Sequence, residues 1–157
     1  KGYEKLLIPH LGRHRGSFVC CPKSQKDVDE FVMNAAPTGI EAANASPDIA
    51  LLDQNIELRG GDIAFGTDVA KALRKRNFEG LIIIRSANDS TKDIATYTEN
   101  GAVDGCLSKT ESYSQVAVNI TAAYVQKKRS RDIYEKSRPN AQADSVSKRK
   151  RLSHSRQ

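Results

Sequence analysis

The chain has 157 residues, 38% of them hydrophobic, and no tryptophan, which supports one modest core over part of the length rather than two domains. Its formal charge of +6 divides unevenly: residues 127–157 hold eleven Lys/Arg against three Asp/Glu, a net of +8, so the first 126 residues sum to −2. The body is mildly acidic and gives no charge-based reason to expect nucleic acid on it; no apolar run reaches membrane-spanning length and no signal-peptide pattern opens the chain.

Gly2 to Leu11, with Tyr3, Leu6, Leu7 and Leu11 at helical spacing, reads as a helix end stopped by Gly12. Ser17 to Cys21 is a short β-prone run closed by Pro22. Ser24 then caps a helix reaching about Ala36, with Val28, Phe31, Val32 and Ala35 as its apolar stripe. Pro37 and Gly39 interrupt it before a second short helical piece from Ile40 to Ala45. Pro47-Asp48-Ile49-Ala50-Leu51-Leu52-Asp53 is a turn followed by a continuous apolar run, the pattern of a strand buried on both faces. Gln54 to Gly66, with three glycines, reads as a loop.

Thr67 is the expected cap of a helix from Asp68 to about Lys75. Leu81-Ile82-Ile83-Ile84 is a second buried strand, followed by Arg85-Ser86-Ala87-Asn88. Ser90 caps a helix to about Asn100, and Val103 to Leu107 is a short strand ending at Ser108-Lys109. The last helix is expected from Glu111 to about Lys128, its stripe formed by Tyr113, Val116, Ile120 and Tyr124. From Arg129 periodicity stops and the Ser-, Lys- and Arg-rich composition predicts a disordered tail. Alternating strands and helices predict right-handed βαβ units and a parallel sheet.

Cys20 and Cys21, adjacent in a strand, point to opposite faces and are poor partners for one disulfide or metal. With Cys106 they read as reduced cysteines of an intracellular, cytoplasmic protein. His10, His14 and His154 lack matched partner spacing and read as solvated.

Asp53, Ser86 and Lys109 each fall at the C-terminal end of a predicted strand, where open α/β sheets bind ligands. Taken singly they are ordinary: a strand-end carboxylate, a small hydroxyl, a solvated charge. Together they suit phosphoryl transfer onto a carboxylate, with Asp53 as nucleophile, Lys109 neutralising phosphoryl oxygens and Ser86 hydrogen-bonding to one.

The ordered set Pro47 to Asp53, Arg85-Ser86-Ala87 and Gly101 to Lys109 resembles the receiver domain of response regulators in two-component signalling. The resemblance covers about residues 1–128 and implies a flavodoxin-like three-layer α/β/α fold. It implies that Asp53 is phosphorylated by a histidine kinase or phosphotransfer protein, that Ser86 and Lys109 complete the site, and that Asn55 gives Mg²⁺ a backbone carbonyl beside Asp53. It also implies no small-molecule substrate and no conventional turnover chemistry.

Four positions depart from that pattern. No acidic pair ends a strand upstream, so the family's strand 1 is expected before Lys1 and Mg²⁺ is expected to be weakly held. Thr110 stands where the family has a proline, and Cys106 where it has an aromatic. The loop after Asp53 is long, and an insertion there could gate access or bind a partner. A non-phosphorylated pseudo-receiver acting as an interaction module is the rival reading; a small hydrolase or phosphatase would want an acid where Asn55 stands. Lys127-Lys128-Arg129 and Lys148-Arg149-Lys150-Arg151 suit a nuclear address or non-specific nucleic-acid contact as well as a solubilising tail.

Overall fold

The computed structural model describes residues 22–38 and 47–137. The expected helix end at Gly2–Leu11, the strand at Ser17–Cys21, the short helix at Ile40–Ala45 and the tail beyond residue 137 lie outside them. In chain order the elements are α1 (Gln25–Ala35), β1 (Ile49–Asp53), β2 (Asn55–Glu57), β3 (Ile63–Phe65), α2 (Gly66–Lys75), β4 (Leu81–Ser86), α3 (Thr91–Thr98), β5 (Gly105–Ser108) and α4 (Tyr113–Ser137).

Three of the strands form a parallel sheet in the order β1-β4-β5. β4 is its middle strand and is buried at all six positions, which is why its sequence is an unbroken apolar run up to Arg85. Asp53 pairs with Arg85 and Ser86 with Ser108, so the three strand ends finish level.

Side chains alternate between the two faces of the sheet. One face sends Ala50, Leu52, Ile82 and Ile84 against Val28 and Val32 of α1 and Val69, Ala70 and Leu73 of α2. The other sends Ile49, Leu51, Leu81, Ile83 and Leu107 against Val116, Ala117 and Ile120 of α4. Helices therefore cover both faces of a parallel sheet, the α/β architecture expected from the sequence. Each fully buried Leu or Ile here contributes roughly 1.5–3 kcal/mol of transfer free energy.

α1 begins at a capping box. Ser24 Oγ accepts from the Asp27 amide at 3.3 Å, and the Asp27 carboxylate accepts from the amides of Ser24 at 3.1 Å and Lys23 at 2.7 Å. The Lys23 amide hydrogen bond is the main reason the Asp27 carboxyl is held below its ordinary 3.8.

Arg74, near the end of α2, fastens the approaches to β4 and β5. It donates to the carbonyls of Phe78 at 2.6 Å, Gly80 at 2.9 Å and Ala102 at 3.1 Å, and pairs with Asp104 at 2.7 Å. Asp104 also accepts from the Ile82 amide at 2.7 Å.

Two expectations are corrected. Gln54 to Gly66 is not an irregular loop but an antiparallel hairpin, β2 on β3, pairing Asn55 with Phe65 and Glu57 with Ile63. Its tip uses Gly60 and Gly61 at φ of 96° and 91°, a conformation glycine adopts without steric cost. Apolar residues alternate inward on both arms, with Ile56, Leu58 and Ala64 packed on the core. Consequently α2 starts at Gly66, and its N-cap is Phe65 rather than Thr67.

The last helix also runs nine residues past Lys128, to Ser137. The apolar stripe ends earlier, but helix formation needs only permissive residues. Residues 125–137 contain neither Gly nor Pro and are rich in Lys, Arg, Gln and Glu. The chain divides into the units Lys1–Tyr124 and Val125–Gln157. In the second, Ile133 and Tyr134 are exposed, and Lys127-Lys128-Arg129 lies on the helix. Among the described residues, no helix is long and apolar enough to cross a membrane.

Candidate functional site

The level strand ends bring Asp53 and Lys109 together. Lys109 Nζ lies 2.7 Å from Asp53 Oδ1, with side-chain exposures of 37% and 35%. The same oxygen accepts from the Asn55 amide at 3.3 Å. A pair this exposed is worth at most about 1 kcal/mol. Either partner can therefore take up an incoming anion or cation at little cost to the fold.

Lys109 reaches Asp53 because the turn after β5 is fixed from several sides. Its amide donates to the Ser86 carbonyl at 2.8 Å. Ser108 Oγ accepts from the Thr110 amide at 3.1 Å and lies 2.7 Å from Thr110 Oγ1. The Glu111 carboxylate accepts from the Ser108 amide at 3.0 Å and from Asn119 Nδ2 at 2.7 Å. Thr110, standing where the resembled family has proline, thus takes part in an ordered turn.

Ser86 is buried at the end of β4. Its hydroxyl accepts from the Asn88 amide at 3.0 Å and lies 3.4 Å from the Tyr97 hydroxyl. The structure therefore joins Asp53 to Lys109 directly, while Ser86 sits on the neighbouring strand end, engaged with Tyr97. Sequence reasoning did not single out Tyr97. The signal available was one aromatic on a helix, α3, that has no buried residues of its own.

Arg85 is a second residue that spacing along the sequence does not mark. It is only 5% exposed and lies on the α4 face of the sheet. Its guanidinium donates to the carbonyls of Ser108 at 3.4 Å, Lys109 at 3.3 Å and Glu111 at 3.1 Å, and it stands 4.8 Å from the centre of the Tyr113 ring.

Cys106, on β5, has its thiol pushed up chiefly by burial, then by the charges of Asp89, Glu111 and Asp93. It stays protonated near neutral pH and is a poor nucleophile.

The hairpin begins at the site. The Gly66 amide donates to the Gln54 carbonyl at 2.9 Å, and the Leu58 amide to the Asp62 carbonyl at 2.9 Å. Antiparallel ladders alternate bonded and non-bonded pairs, so Asn55–Phe65 is a non-bonded pair and the Asn55 carbonyl points away from β3. The Asp53 carboxylate and that carbonyl are hard oxygen donors of the kind Mg²⁺ takes, with water completing the shell. Among the described residues no group of three His, Cys, Asp or Glu side chains is placed to hold a metal.

No protein-family model matches the sequence, and no curated protein matches it. Among solved structures, the chain is similar to the receiver domain of the Francisella response regulator 1452. The likeness has 18% identity and a TM-score of 0.43, and covers 67% of this chain and 93% of that one.

Proposed function

We propose that this chain is a receiver module that accepts a phosphoryl group on Asp53 from a phosphohistidine of a kinase or phosphotransfer protein. The observation that carries this reading is the 2.7 Å contact between Asp53 and Lys109, two residues far apart in sequence, at the C-terminal edge of a parallel sheet.

The chemistry follows from the donor set. A carboxylate oxygen of Asp53 attacks phosphorus as the phosphorus–nitrogen bond to the donor imidazole breaks. The imidazole keeps the bonding electrons and takes up a proton, and Asp53 becomes an acyl phosphate. Lys109 exchanges its hold on the carboxylate for the phosphoryl oxygens and neutralises their charge. The Ser86 hydroxyl accepts from the Asn88 amide, and with the Tyr97 hydroxyl as donor between the two it would have its own proton for a phosphoryl oxygen. Asp53 and the Asn55 carbonyl would hold Mg²⁺, which when bound offsets the charge of the transferred group. The half-exposed Asp53 suits a protein donor that comes to it rather than a substrate enclosed in a cavity.

The test is incubation with acetyl phosphate and Mg²⁺, read by intact mass. A phosphoryl increment is expected on the wild type, none on Asp53→Asn, and a rate about a hundredfold lower on Lys109→Met, the usual loss when one positioned donor is removed. A wild type that takes up no phosphoryl group would leave the pseudo-receiver reading, in which the same strand ends serve only to bind a protein.

A further inference from the structure

Arg85 stands out because its position is wrong for its chemistry. It follows three isoleucines on the middle strand and its side chain belongs to the buried face. Removing a guanidinium from water there costs several kcal/mol unless its donors are met. Its Nε and Nη2 donate to the main chain of one short segment, the carbonyls of Ser108, Lys109 and Glu111, while the Tyr113 ring covers the flat face.

That segment is the turn that carries Lys109. At its other end Arg85 is fixed to the acceptor strand, since it pairs with Asp53 and its carbonyl accepts from the Gln54 amide at 3.2 Å. One residue is thus tied to Asp53 through its backbone and to Lys109 through its side chain. A planar fork reaching three carbonyls has far less freedom than a single hydrogen bond.

We infer that Arg85 is the positioning residue for Lys109, setting the place of its ammonium relative to Asp53. This rests on the acceptor reading above. Arg85 touches neither the phosphoryl group nor the donor; it acts by fixing the turn from which Lys109 extends. Small displacements of a charge-neutralising group are costly in rate, so the effect should reach acceptor kinetics and not stability alone.

The experiment is a double-mutant cycle on phosphorylation by acetyl phosphate with Mg²⁺, using Arg85→Met, Lys109→Met and both together, with thermal melts to confirm folding. Arg85→Met is expected to slow labelling of Asp53 about tenfold with Lys109 present and less than about twofold without it. Arg85→Lys keeps the charge but cannot fork, and is expected to be nearly as slow as Arg85→Met. It also serves as the second variant if Arg85→Met does not fold. Equal losses in both Lys109 backgrounds, or an Arg85→Lys as fast as wild type, would overturn the inference while leaving Asp53 as acceptor. An unlabelled wild type would remove the acceptor reading and this inference with it.

Discussion

At the scale of single residues, charge is used in three ways. Asp53 and Lys109 form a half-exposed pair that contributes little to folding and is available for chemistry. Arg74 and Arg85 do the opposite, spending donors on backbone carbonyls, Arg74 before β4 and β5 and Arg85 in the turn after β5. Asp27 is a third case, a carboxylate that caps a helix. Its folded pKa lies below its ordinary 3.8, so the stability it supplies is present above that value and is lost as pH falls through the lower folded one. The melting temperature of Asp27→Asn is therefore expected to lie below wild type at neutral pH, and the gap to close as pH drops below 3.8. A gap that does not change with pH would contradict this. Asp53, Ser86 and Lys109 were legible as candidates because strand ends can be located from hydrophobic runs, and Asn55 through the resemblance alone. Arg85 and Tyr97 were not, because their roles depend on which face a side chain takes and on contacts across the sheet, neither of which spacing reveals.

At the scale of elements, the hairpin matters most for the site. Gly66 closes its neck, and a Cβ there would meet the Asp53 carbonyl oxygen at 2.3 Å and Ile84 Cδ1 at 3.0 Å. Gly66→Ala is expected to cost about 1–3 kcal/mol, as overpacking does, and to shift the Asp53 and Gln54 amide resonances most. A two-dimensional amide spectrum and a denaturant melt check both points, and an unshifted Asp53 would be the contrary result. The hairpin was hidden by its own glycines. Gly60, Gly61 and Gly66 together read as a loop, although Gly60-Gly61 between alternating apolar residues is a hairpin signal. The last helix runs past its expected end for a related reason, since apolar periodicity reports what a helix buries and not how far it runs.

At the scale of the whole molecule, the central strand β4 serves two cores. Ile84 faces α1 and α2, and Ile83 faces α4 with Ile120. Both faces rest on one strand, so neither core is expected to unfold without the other. Ile84→Ala and Ile120→Ala, from opposite faces, should each cost about 2–5 kcal/mol of a total of about 5–15 kcal/mol. Each should move a single urea transition to lower midpoint with unchanged slope; separate transitions for circular dichroism and tyrosine fluorescence would contradict the shared core. The sheet and its covering helices were legible because buried parallel strands announce themselves as uninterrupted apolar runs.

The closed neck of the hairpin has a further consequence. Gln54 and Gly66 meet across one hydrogen bond, so the sheet has no way to register how much chain separates them. Outside Asn55, whose amide holds the Asp53 carboxylate, and the inward Ile56, Leu58 and Ala64, the tip around Gly60 and Gly61 can be lengthened or rewritten over descent while Asp53 keeps its place. The surface beside the carboxylate can thus change at the hairpin tip without disturbing the strand end that carries Asp53, which makes the two separately heritable traits of a single fold.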